Sequence, residues 1–149
     1  MSTREAGAIN VRRITSSDLD GIIVLINKIT KGEISITYRD LVANYAGPLD
    51  LSFVAEVNGQ MVGFILARLE FVYIPFVEIC LIDAVGVDPE YQGRQVGSTL
   101  IQKLIDRCRL DDVGTIRALV AQDDEPLRRF VEYLGFRRSN ITNYDKPIS

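Results

Sequence analysis

The dipeptide Asn58-Gly59 stands between two β-rich runs, Ser52 to Val57 and Met61 to Phe71. Both residues tolerate the positive φ of a two-residue hairpin turn, whose twist matches that of the flanking strands. The centre of the chain is thereby committed to an antiparallel pair. Pro75 breaks the β pattern, and Val77 to Val87 starts a third long strand that Pro89 closes.

The other elements are read around this core by periodicity. Val11 to Ile14 is a short strand, and Ser16, Ser17 and Asp18 each offer an N-cap to a helix. Leu19, Ile22, Ile23 and Ile26 form that helix's apolar stripe, and Gly32 punctuates it. A weaker helix over Ile36 to Tyr45 is ended by Gly47-Pro48. Val96, Leu100, Ile101, Leu104, Ile105 and Cys108 share one face of a further helix. Gly114 marks the next turn, and Ile116 to Val120 is another strand. Leu127, Phe130, Val131 and Leu134 recur at helical spacing, with Gly135 placed as the C′ residue. Phe136 onward reads as a strand, and a last one starts at Tyr144. The order β-α-α-β-β-β-α-β-α-β-β predicts a mixed α/β sheet rather than a Rossmann alternation.

Composition narrows the chemistry. A chain of 149 residues, 47% hydrophobic, without repeats or linkers, is expected to form one domain over 1–149. With 17 basic and 20 acidic residues, a net charge of −3 and no basic block, nucleic acid is not an expected partner. The chain has no histidine, which removes Ser-His-Asp and Cys-His catalysis and the commonest metal ligand. Its two cysteines, Cys80 and Cys108, lie among apolar neighbours and are not spaced as C-x-x-C. They read as small core residues, so no metal is expected. Met1 to Gly7 lacks a signal-peptide apolar region, and the longest aliphatic run is only Ile22 to Ile26. A soluble, reduced, cytoplasmic protein without membrane contact is the expectation.

The segment with chemical content is Val87-Asp88-Pro89-Glu90-Tyr91-Gln92-Gly93-Arg94-Gln95-Val96-Gly97-Ser98. A strand ends, a polar glycine-bearing loop follows, and an amphipathic helix begins near Val96. The first turn of a helix presents unpaired N–H groups and partial positive charge, so such a loop can wrap a phosphate or pyrophosphate. Gly93 and Gly97 permit close backbone approach, and Arg94 adds a mobile cation. The alternative is that these glycines only serve a tight strand-to-helix turn. No Walker lysine is present, and the spacing is not G-x-G-x-x-G.

This segment resembles the acetyl-CoA-binding signature of the GNAT superfamily of N-acetyltransferases, Q/R-x-x-G-x-G/A, with Gln92 in the first position and Gly97 in the last. A second block, Asp124 to Phe136, is similar to the family's N-x-x-A-x-x-L-Y-x-x-x-G-F, and the element order agrees across nearly the whole chain. The resemblance implies acetyl-CoA as co-substrate. It implies that the pantetheine arm pairs with the backbone of Val85, Gly86 and Val87. The pyrophosphate would be held by amides from Gly93, Arg94, Gln95, Val96, Gly97 and Ser98. It further implies direct attack of a primary amine, on a small molecule or a protein, with a backbone N–H stabilising the oxyanion.

The chain departs from the family pattern at three positions. Gln95 replaces the signature's central glycine. If that glycine needs positive φ, Gln95 costs about 1 kcal/mol of strain; if it only allows close approach, the side chain must swing into solvent. Val131 stands where a tyrosine usually protonates the leaving thiolate, and valine has no proton to give. Asp124 replaces an asparagine and is expected to act as a helix N-cap. Arg128 and Arg129 begin the late helix and read by default as a solvated face, though Arg128 could reach the CoA phosphates. For the base that deprotonates the amine, the acidic residues on the core strand are Asp83 and Glu78. Five positions apart, they face opposite ways unless a bulge intervenes. Asp83 is the preferred base. The apolar stretch Phe71 to Phe76 reads as a loop, and together with family precedent it suggests a homodimer. The competing expectation is a GNAT-fold module that binds acyl-CoA without turnover.

Overall fold

The structure, a computed structural model, describes residues 7–32, 51–73 and 76–148. Its elements are β1 (Asn10–Arg13), α1 (Leu19–Thr30), β2 (Phe53–Val57), β3 (Gln60–Tyr73), β4 (Phe76–Val87), α2 (Val96–Leu110), β5 (Ile116–Ala118) and α3 (Glu125–Tyr133). Short 3₁₀ turns over Ser16–Asp18 and Pro89–Tyr91 introduce α1 and follow β4. The strands lie in the order β1-β2-β3-β4-β5, antiparallel throughout except for the parallel β4–β5 pair.

The central hairpin forms as expected. Asn58 and Gly59 take φ of 53° and 79°, the positive pair that a type I′ turn requires, and Val57 faces Gln60 across it. Both faces of the sheet are covered, which is why Phe53, Val54 and Ala55 are all buried instead of alternating. Towards α1 the core holds Leu19, Ile22, Leu25, Val54, Phe64 and Leu66. Towards α2 it holds Phe53, Ile65, Val96, Leu100, Leu104 and Cys108, among others. Each such buried aliphatic or aromatic side chain contributes roughly 1.5–3 kcal/mol.

The start of α1 is fastened by charge. Thr15 donates from its backbone N–H to Asp18 Oδ2 at 2.7 Å, so Thr15 rather than the serines begins this turn. Arg12 of β1 donates twice to Asp18, at 2.9 and 2.8 Å, and once to Glu56 of β2 at 3.1 Å. The Arg12 guanidinium holds the Asp18 carboxyl below its ordinary value against the opposing effect of burial.

Three expectations are revised. In the stretch Phe71 to Phe76, expected as a loop, the described residues are strand: β3 runs through Tyr73 and β4 starts at Phe76, with Tyr73 and Phe76 partners in the ladder. The strand after Gly114 stops at Ala118 rather than Val120. No strand forms over residues 136–148, which are almost all exposed and too polar between Arg137 and Lys146 to present an apolar face. The helix expected over Ile36 to Tyr45 lies outside the described residues.

Candidate active site

A split between β4 and β5 creates the site. β5 pairs only with Cys80, Leu81 and Ile82, after which β4 continues alone to Val87. The divergence coincides with a β-bulge: Leu66 faces Ala84 while Ala67 faces Ile82, leaving Asp83 as the extra residue. Among the described residues, the β4 edge from Asp83 to Val87 carries no ladder on its β5 side. A strand edge without a ladder accepts an extended ligand as an added strand. Val85 is half-buried on the α2 face, and Gly86 and Val87 are buried. Gly86 makes room for the other layer, since a Cβ there would come within 2.8 Å of Ile29 and Phe64.

The loop after β4 is held from below. The Asp88 N–H donates to Val62 O at 2.8 Å. Its carboxylate, 2% exposed as a residue, accepts from the Glu90 N–H at 2.9 Å. Lys28 of α1 donates to Asp88 at 2.9 Å and to Glu90 at 2.7 Å. Burial alone would raise the Asp88 carboxyl, but the Lys28 ammonium and the Glu90 N–H outweigh it and hold it below its usual range.

The loop then rises to the surface, with Gln92, Gly93, Arg94 and Gln95 exposed. Gly93 has φ of 81°, and among the described residues nothing lies within 4 Å of where its Cβ would stand. The Arg94 guanidinium sits 5.0 Å from the Tyr91 ring centroid, a cation–π contact that leaves its charge at the loop surface. Gln95 is the N-cap of α2 with φ 66° and ψ 22°, so the first of its two alternatives holds: the position demands the left-handed region. No side chain caps α2, and its first turn contains no acidic residue. Among the described residues, no side chain takes up the N–H groups of Val96, Gly97 and Ser98, and such a helix start can hold an anion.

Gly97 also makes room inside the protein. A Cβ there would lie 2.8 Å from Phe130 Cζ, so its missing side chain admits the ring from α3. That contact seats α3 beside the first turn of α2. Asp124 caps α3, accepting from the Leu127 N–H at 3.2 Å. Arg128 reaches Glu125 at 3.4 Å, while its Nε is buried without a partner among the described residues. An acceptor is wanted there.

Asp83 and Glu78 lie on opposite faces. Asp83 turns towards the α1 side, where Arg68 Nε donates to its Oδ2 at 2.8 Å, and its side chain is 23% exposed. Arg68 also binds Glu70, two residues along the same face of β3. Glu78 faces Phe71 in the exposed part of the hairpin, about 16 Å along the strand from Asp83. The structure brings Asp83, and not Glu78, to the split. Cys80 and Cys108 are buried, and burial pushes both thiols up, which leaves them inert core residues.

Arg68 and Lys28 escape sequence reasoning, as does the packing of Phe130 on Gly97. Arg68 and Glu70, charges spaced by two inside an apolar strand, are the one signal that a partner waits on β4.

Comparison with known proteins agrees with this geometry. The chain is 28% identical to an uncharacterized N-acetyltransferase of Methanocaldococcus jannaschii over 139 residues, covering 88% of this chain and 62% of that protein. The chain thus spans less than two thirds of that relative's length. In fold it is similar to an aminoglycoside N-acetyltransferase, AAC(6')-Iy, solved in complex with CoA, with a TM-score of 0.79, 16% identity and 99% of each chain covered. It is likewise similar to the aminoglycoside 6'-N-acetyltransferase AAC(6')-Ih of Acinetobacter baumannii, with a TM-score of 0.77 at 15% identity, over 95% of this chain and 100% of that one. Residues 23–136 match the Acetyltransferase (GNAT) family, and the chain belongs to it.

Proposed function

We propose that the protein transfers an acetyl group from acetyl-CoA to a primary amine, on a small molecule or a protein. One observation carries this reading: an uncapped helix start, an unladdered strand edge and a bulged carboxylate follow one another between Asp83 and Ser98. The first suits a pyrophosphate, the second an extended pantetheine arm, and the third an amine at the arm's end. The open surface at Gly93, the acid-free first turn of α2 and the buried unpaired Arg128 Nε fit a polyanionic co-substrate. The CoA-bound structural neighbour supports the same co-substrate, and the aminoglycoside enzymes support a small-molecule amine.

Each residue then has a defined task. Backbone groups of Val85, Gly86 and Val87 align the acyl donor, and amides from Gly93 to Ser98 hold its phosphates. Asp83 takes a proton from the ammonium form of the acceptor, directly or through a water. The freed nitrogen lone pair bonds to the acyl carbon, the C–S bond breaks with its electron pair leaving on sulfur, and the nitrogen, now bonded to the acyl carbon, gives up its second proton to water to become the amide. A β4 backbone N–H stabilises the charge that grows on the carbonyl oxygen. Val131 offers no proton, so the thiolate takes one from water.

Thiol release from acetyl-CoA, followed over a panel of aminoglycosides, polyamines, amino acids and peptide N-termini, tests this. We expect release that depends on at least one amine, and a fall of about 10²-fold in kcat for Asp83→Asn. Gln95 and Val131 favour one second reading, acyl-CoA binding without turnover. Tight acetyl-CoA binding with no amine-dependent release across the panel would establish that reading instead.

A further inference from the structure

We infer that the far end of the β3–β4 ribbon docks into a basic groove beside β5 of a second copy of this chain, forming a twofold dimer. The inference stands apart from the chemistry proposed above. On the α2 side of the sheet, Leu69, Cys80 and Ile116 stand in one row across β3, β4 and β5. Beyond that row the ribbon runs on without a third strand among the described residues. β2 pairs with β3 no further than Ile65, and β5 pairs with β4 only from Cys80 onward. Two strands alone are marginal in water, and here Leu69 is 41% and Phe71 57% exposed. Glu78, the ladder partner of Phe71, is exposed on the same face. Among the described residues, no hydrogen bond or ion pair holds its carboxylate.

At the β5 end of the row opens a groove of about 840 Å³ between α2, β5 and the segment after α3. Ile105, Ile116, Leu134 and Phe136 give it apolar walls, and Arg109, Arg137 and Arg138 join the lining. Among the described residues no carboxylate lines it, in a chain whose net charge is −3. Arg109 pairs with Asp106 at 3.7 Å on the surface. Arg137 and Arg138 are exposed and have no ion pair among the described residues. The outer edge of β5 likewise carries no ladder among them. The ribbon end therefore offers what the groove lacks, apolar side chains beside an uncommitted carboxylate. Both lie on the α2 side of one sheet. A twofold axis between them seats each copy's ribbon in the other's groove, so the contact closes at two copies.

Sedimentation velocity on the full chain tests this, with a dimer expected at micromolar concentration. Glu78→Arg sets like charge against the partner's groove and should raise the dimer dissociation constant at least about tenfold. Arg137→Glu combined with Arg138→Glu should do the same against Glu78. All three side chains are exposed, so both variants should still melt cooperatively. Should a reversal not fold, Glu78→Gln serves instead, with a loss of about threefold. An equimolar mixture of the two reversed proteins is the decisive sample, because each ribbon then meets a groove of opposite charge. Heterodimers should form there with a dissociation constant within about threefold of the wild-type value. A wild-type chain that stays monomeric overturns the inference and leaves the groove to another partner. A dimer that neither reversal weakens, or a mixture that stays monomeric, overturns it as well. The measurement uses no acetyl-CoA and no amine, so its outcome is independent of whether the protein transfers an acetyl group.

Discussion

Gln95 holds a backbone conformation that most side chains avoid, φ 66° and ψ 22°, at the entrance to α2. Its side chain makes no capping bond in return. Glycine accepts this region freely, so Gln95→Gly should raise the unfolding free energy by about 1 kcal/mol in urea titration. Acetyl-CoA affinity should be equal or tighter; a less stable variant would show that the glutamine makes contacts worth more than its strain. Gly97, two residues on, is constrained by space rather than by φ. A Cβ would stand 2.8 Å from Phe130 Cζ and 3.1 Å from Cε1. Gly97→Ala should therefore destabilise by about 1–3 kcal/mol through overpacking, and Phe130→Leu in the same chain should recover part of that. Denaturant melts of the single and double variants check both expectations, and additive losses would contradict them.

At the level of elements, the loop that precedes α2 depends on a helix far away in sequence. Lys28, in the last turns of α1, joins Asp88 and Glu90 to the rest of the molecule. Asp88→Ala leaves that ammonium and the Glu90 N–H without their buried partner, at a cost of about 1–3 kcal/mol. The loop should loosen, raising the acetyl-CoA KM several-fold with a smaller effect on kcat; steady-state kinetics on folded protein decides it. What the sequence makes legible divides along the same line. Local signals sufficed for the Asn58-Gly59 hairpin, the stripe from Val96 to Cys108 and the capping role of Asp124, because neighbours in sequence determine them. The bulge at Asp83 depends on register between β3 and β4, which no local pattern encodes, and with it went the sight of Arg68. The packing of Phe130 against Gly97 was equally out of view, because the ring comes from some thirty residues later in the chain. The apolar run from Phe71 looked like a loop around Pro75, yet the long-range ladder carries it as strand to Tyr73.

For the molecule as a whole, charge sets a pH window. Asp18 and Asp88 both sit below the ordinary carboxylate value in the fold, Asp18 through Arg12 and Asp88 through Lys28 and the Glu90 N–H, in each case against the cost of burial. The unfolded chain therefore takes up these protons at higher pH than the native one does. Their contribution to stability is complete above roughly pH 4, the usual aspartate value, and is lost as pH falls through the depressed native values. Thermal melts between neutral pH and pH 3 should show this decline, and Asp18→Asn should flatten it while lowering stability by about 2 kcal/mol at pH 7. A variant with an unchanged acid slope would show that Arg12 does not hold the carboxylate as described. The same molecule-wide arrangement, two covered sheet faces around a parting of β4 from β5, is what the proposed function needs. Calorimetric titration with acetyl-CoA, with ATP alongside, tests that central claim most directly. Micromolar acetyl-CoA binding with no response to ATP is the predicted result; no heat from acetyl-CoA, in a protein that melts cooperatively, would contradict it.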